Sequence, residues 1–111
     1  MAVTILFLGD VMGRPGRTVV KTALRELRKQ AEAGAARYPD MIVANAENAS
    51  GGLGLTPNSA RELLQVGVNV LTSGNHIWKH KEIREYMEGE ERLLRPANYP
   101  EGAPGTGLRI Y

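Results

Sequence analysis

With 111 residues and no internal repeat or low-complexity stretch, the chain has the length of one domain able to bury a core of its own. Fourteen Lys and Arg against 12 Asp and Glu leave a net charge of +2, too small an excess to support nucleic-acid binding. The absence of cysteine excludes disulfides and thiolate metal sites, so any metal must take carboxylate, amide, imidazole or backbone oxygen ligands.

In chain order, Val3 to Leu8 is apolar without alternation, which predicts a strand buried on both faces of a parallel sheet. Gly9-Asp10 cuts this run too short for a signal peptide or a membrane span, which predicts no membrane partner and a cytoplasmic protein. The turn Gly9 to Gly16 carries the helix-entry residues Pro15 and Gly16. Val19, Val20, Ala23, Leu24, Leu27 and Ala31 then follow helical spacing and predict a helix from Arg17 to Ala33, stopped by Gly34. A second strand is predicted over Met41 to Asn45, followed by the glycine-rich loop Gly51-Gly52-Leu53-Gly54. Thr56-Pro57 pairs a capping hydroxyl with proline at the first helical position, starting a helix that runs to Val66 and ends at Gly67.

A third strand is predicted over Val68 to Thr72 and a short helix over Lys79 to Met87. Arg92 to Arg95 reads as a short strand. Leu108 to Tyr111 reads as the start of another, as though cut from its continuation. The order β-α-β-α-β predicts right-handed crossovers and a parallel sheet. If the strands lie in sequential order, both long helices share one face, and a sheet apolar on both sides expects further structure over the other. The chain therefore reads as part of a longer protein.

In parallel α/β sheets the ligand site lies beyond the carboxyl ends of the strands. By that rule Asp10, Glu47, Asn48, Asn75 and His76 converge on one edge. Two carboxylates with no cation beside them in sequence, two amides and an imidazole form a ligand set suited to magnesium or manganese, or to iron or zinc with added imidazoles. Singly, each has an ordinary role: Asp10 as a turn or cap residue, Glu47 as a solvated carboxylate, Asn48 and Asn75 as turn formers, His76 as a satisfied or exposed histidine. Their coincidence at three successive strand ends favours a site. Trp78 is expected to be packing and His80 a surface helix residue. Arg14 and Arg17, at the helix entry, are candidate anion contacts, although a solvated basic surface is the preferred reading. Neither glycine-rich segment carries a P-loop or a dinucleotide fingerprint.

Leu8-Gly9-Asp10-Val11, Asn45-Ala46-Glu47-Asn48-Ala49, Gly74-Asn75-His76-Ile77-Trp78 and Arg95-Pro96-Ala97-Asn98-Tyr99-Pro100 occur in one order along the chain. Together they resemble the calcineurin-like metallophosphoesterases, and more closely their YmdB branch of bacterial cyclic-nucleotide phosphodiesterases. The resemblance implies an α/β fold, a layered sheet with flanking helices, of which residues 1–111 form the N-terminal portion of a single domain. It also implies two divalent ions, manganese or iron, with magnesium or zinc as alternatives. Asp10 and Asn48 bind the first, Glu47 bridges both, and Asn75 binds the second. His76 then stands beside the phosphoryl group as transition-state stabiliser or proton donor, and an activated water hydrolyses a phosphodiester, a 2′,3′-cyclic or 3′,5′-cyclic nucleotide. Met12 stands where the wider superfamily carries a histidine, and Glu47 where it carries a bridging aspartate. Both changes fit the YmdB branch, whereas Lys79 replaces a residue often acidic there. The family's remaining ligands are histidines of a second half. Two other readings stay open: a non-catalytic nucleotide-binding or regulatory module using the Gly51 to Gly54 loop, and an inactive unit that acts by assembly, as a homo-oligomer or with another chain.

Overall fold

In the computed structural model, which describes residues 1–111, three parallel strands form one sheet in the order β1 (Ile5–Leu8), β2 (Met41–Asn45), β3 (Val70–Thr72). Leu6 pairs with Ile42, Leu8 with Ala44, and Ala44 with Leu71, so these five side chains share a face. The crossovers are α1 (Gly13–Glu32) and α2 (Pro57–Gln65), and right-handed connections in sequential order bring both to that face. Val20 and Leu24 of α1 and Ala60, Leu63 and Leu64 of α2 close over Ile42, Ala44 and Leu71 in one core, which Ile83 and Met87 of α3 (Glu82–Gly89) extend. The shortest extent of the molecule, 20 Å, is that of one sheet under one layer of helices, each roughly 10 Å thick. No helix is long and apolar enough to cross a membrane.

The opposite face is largely bare. Ile5 and Phe7 are 59% and 61% exposed, so β1 is not buried on both sides as its unbroken apolar run predicts. It is an edge strand with helices on one face only. Val70 is the exception on this side, buried where it sits next to β2.

Local signals account for most boundaries. Thr56 Oγ1 accepts a bond from the Ser59 N–H at 3.3 Å, with Pro57 at the first helical position, as predicted. α1 begins a turn earlier than predicted, at Gly13. Pro15 thus falls in the first turn, where the missing N–H leaves no intrahelical bond unmade. β3 is shorter than predicted because Asn69 bonds to both polar groups of Ile42, its N–H to the carbonyl and its Oδ1 to the N–H. The helix predicted over Lys79 to Met87 is α3, displaced to Glu82–Gly89, and an unpredicted 3-10 turn, Asn75–Lys79, precedes it. Leu93 makes a single parallel bridge to Leu71 rather than a strand. Leu108 to Tyr111 forms no strand: Leu108 and Ile110 are exposed, and the Tyr111 hydroxyl donates to the Glu91 carbonyl at 2.6 Å.

Candidate active site

Backbone bonds tie the three strand-end loops together. The Val11 N–H donates to the Asn45 carbonyl at 3.0 Å, the Gly13 N–H to the Asn48 carbonyl at 2.9 Å, and the Ala46 N–H to the Thr72 carbonyl at 2.9 Å. Asp10 leaves β1 with φ of 39°, a left-handed conformation that a short polar side chain tolerates better than most. Its carboxylate meets the next loop: Asn48 Nδ2 donates to Asp10 Oδ1 at 2.9 Å. The other end of the same amide faces the third loop, with Asn48 Oδ1 2.6 Å from His76 Nδ1. Because that oxygen can only accept, Nδ1 carries the hydrogen in this arrangement.

Glu47 lies alongside. Its Oε2 accepts the His76 N–H at 3.3 Å and stands 3.5 Å from His76 Nδ1. The carboxylate rests against Gly74, where an added Cβ would lie 2.6 Å from Glu47 Cδ. With φ at −135°, Gly74 has a backbone open to any residue. The glycine is needed for space rather than for the sharp turn that its position after a strand suggests.

Four of the five predicted residues, Asp10, Glu47, Asn48 and His76, are thus joined at one edge. Asn75 is not: it is exposed at the start of the 3-10 turn, with no hydrogen bond to the other four. No three His, Asp or Glu side chains converge as a metal-holding cluster. The donors present nevertheless suit a hard divalent ion. Asp10 and Asn48 are within one hydrogen bond of each other, and the Glu47 carboxylate, 21% exposed, has no lysine or arginine partner. They fit as a partial ligand set. Beside Asp10 a groove of ≈ 470 Å³ runs between the free edge of β1 and α1, lined by Phe7, Leu8, Met12, Pro15 and Val19 among others.

Several supporting residues do different work from that predicted. Arg17 is neither a solvated surface residue nor a free anion contact. It donates to the Ala49 carbonyl through Nη1 and, at 3.1 Å, to Glu62 Oε2 through Nε, bracing the Asn48 loop against α1 and α2. Lys21 joins the same carboxylate. The Lys21 hydrogen bond and then the Arg17 charge outweigh desolvation and hold the Glu62 carboxyl below its usual range. His80 is not on a helix but bonds the Leu53 carbonyl through Nε2 at 3.1 Å. Gly54 fits beneath it, since a Cβ there would lie 2.8 Å from His80 Cδ2. The glycine-rich loop is therefore pinned to the 3-10 turn. Trp78 is packing as expected, edge-on to Tyr99 with ring centres 5.4 Å apart. The only sequence hint of the brace is the four-residue spacing of Arg17 and Lys21, and nothing local announces the His80 contact.

A 2′,3′-cyclic-nucleotide 2′-phosphodiesterase of Bacillus subtilis (strain 168) is 42% identical over 104 residues, 94% of this chain and 37% of the relative. The crystal structure of a hypothetical protein from Thermus thermophilus superposes with a TM-score of 0.82 at 41% identity, covering 97% of this chain and 40% of that one. That of a novel phosphatase from Mycoplasma pneumoniae gives 0.80 at 28% identity, covering 100% and 40%. The chain thus spans well under half the length of these relatives. The family model described as YmdB-like protein matches residues 6–111, a span that holds every residue of the strand-end site, and the chain belongs to the YmdB-like family.

Proposed function

We propose that the full-length protein is a metal-dependent phosphoesterase that hydrolyses phosphodiesters, with 2′,3′-cyclic or 3′,5′-cyclic nucleotides as substrates. The observation that carries this reading is the junction of Asp10, Glu47, Asn48 and His76 at the carboxyl edge of the sheet. The name of the Bacillus subtilis relative favours the 2′,3′ form. Asp10 and Asn48 would hold one divalent ion, Glu47 would serve two, and Asn75 would serve the second. The family resemblance favours manganese or iron, with magnesium or zinc as alternatives, and the oxygen-rich donors of this chain are compatible with manganese or magnesium. When bound, such ions polarise phosphoryl oxygens and lower the pKa of a water.

This chain's own contribution centres on Asn48 and His76. With Asn48 Oδ1 facing the ring, Nδ1 holds the hydrogen and the neutral imidazole offers only an acceptor at Nε2. A half-turn of the amide would give up its bond to Asp10, leave Oδ1 beside that carboxylate as a donor for a cation, and present NH₂ to the ring. The neutral ring would then carry its hydrogen on Nε2, from which it could bond a leaving oxygen. Glu47, bonded to the His76 N–H, fixes the backbone from which the ring projects.

The reading is tested by elemental analysis of full-length Glu47→Ala after loading with Mn²⁺ and removal of excess. Loss of the two-ion stoichiometry of the wild type is expected, and retention of two ions would refute the bridging role. A second reading, assembly through the sheet, rests on the exposure of Ile5 and Phe7. Concentration-dependent sedimentation of the 111-residue chain that Phe7→Lys abolishes would support it, and a monomer at all concentrations would remove it.

A further inference from the structure

Arg95 is 9% exposed, yet no carboxylate pairs with it. Its Nε is buried without a hydrogen-bond partner, and the one side-chain bond it makes is from Nη1 to the Pro96 carbonyl at 3.0 Å. A guanidinium cannot shed its proton, and it carries five donors. Burying one without an anion is costly, because neutral carbonyls do not compensate the charge. Within residues 1–111 the guanidinium is left without a counter-ion, so an anion from outside this segment is the partner it lacks.

Its place in the fold suggests one. Leu93 is bridged in parallel to Leu71, the Leu94 N–H donates to the Leu71 carbonyl at 2.9 Å, and Ser73 Oγ donates to the Leu94 carbonyl at 2.7 Å. The segment therefore runs beside β3 in the same direction. Arg95 follows at the carboxyl edge, next to the Ser73-Gly74 turn that leads into His76. Beyond it, Tyr99 packs on Trp78 of that same 3-10 turn. The edge that collects Asp10, Glu47, Asn48 and His76 thus also receives an unpaired cation, one strand further along.

We propose that Arg95 binds the phosphate group of the substrate. The carboxylates of this edge are suited to cations, and Arg95 supplies an opposite charge for the anionic ester. A planar guanidinium matches phosphate oxygens in pairs. The inference rests on the phosphoesterase reading above, and it adds to that reading a residue for substrate affinity.

The test uses the full-length protein with inorganic phosphate as the probe, alongside steady-state hydrolysis of a 2′,3′-cyclic nucleotide. Arg95→Met is expected to weaken phosphate binding, read by calorimetric titration, and to raise KM, each by roughly 10–100-fold, with metal content unchanged. Arg95→Lys should recover part of both, a rescue that a packing role would not give. Unchanged phosphate affinity in folded Arg95→Met overturns the proposal. Should that variant fail to fold, the Arg95 Nε–H resonance of the wild type decides: a shift that saturates with phosphate supports binding, and an unmoved resonance overturns it. Failure of the wild type to hydrolyse any phosphodiester contradicts the proposed function instead, because the phosphate titration requires no turnover.

Discussion

On one face of the sheet, Ile42, Ala44 and Leu71 are at most 1% exposed beneath α1 and α2. On the other, Ile5 and Phe7 of the edge strand are about as exposed as surface residues. Both sets are apolar, and their sequence signature is the same. The difference is one of topology: sequential strands with right-handed crossovers send every helix to one side. The site lies where these two environments meet. Asn48 and His76 descend from the packed strands, whereas Asp10 leaves the exposed β1.

The contrast between the faces breaks most easily in the core. Ile42→Ala should cost about 2–5 kcal/mol in denaturant unfolding, since it empties space under α1 and α2. Phe7→Ala should cost less than about 1 kcal/mol, because its ring is already in water. Equal losses would mean that the open face is covered in solution. At the junction of the two environments, Gly74→Ala forces the Glu47 carboxylate aside, with a loss of about 1–3 kcal/mol expected in the same unfolding measurement. Thr56→Ala removes the α2 cap and should cost about 1 kcal/mol.

The smallest effect should be Glu62→Gln, about 1 kcal/mol or less at neutral pH. Its pH dependence is diagnostic. The Glu62 carboxyl is held below its ordinary value of 4.5 in the folded chain, so its stabilisation is complete above that value. It fades as the pH falls through the depressed folded one. The wild-type advantage over Glu62→Gln should therefore shrink below pH 4.5. An advantage that persists undiminished into acid would exclude the brace as its source.

What the sequence showed was mostly what is local. Met41 to Asn45, Thr56 and Pro57 carry their own strand and cap signals, and the strand-end rule placed Asp10, Glu47, Asn48 and His76 together. Long-range geometry was hidden. An apolar run cannot say whether both faces find partners, so β1 read as buried. A strand needs a neighbour, and Leu108 to Tyr111 has none despite its composition. Arg17 and His80 read as ordinary because their roles depend on Ala49 and Glu62 and on Leu53, and Arg95 stood out only as part of a motif, its burial without a partner for Nε being set by tertiary packing. Asn75 shows the converse: its motif is complete, yet it stays apart from the bonded four.

The central claim is that this strand-end cluster is phosphoesterase machinery, and the turnover of metal-loaded, full-length His76→Ala on a 2′,3′-cyclic nucleotide tests it most directly. A fall on the order of 10²–10⁴-fold with both metals retained is the predicted result. Turnover equal to the wild type would contradict it.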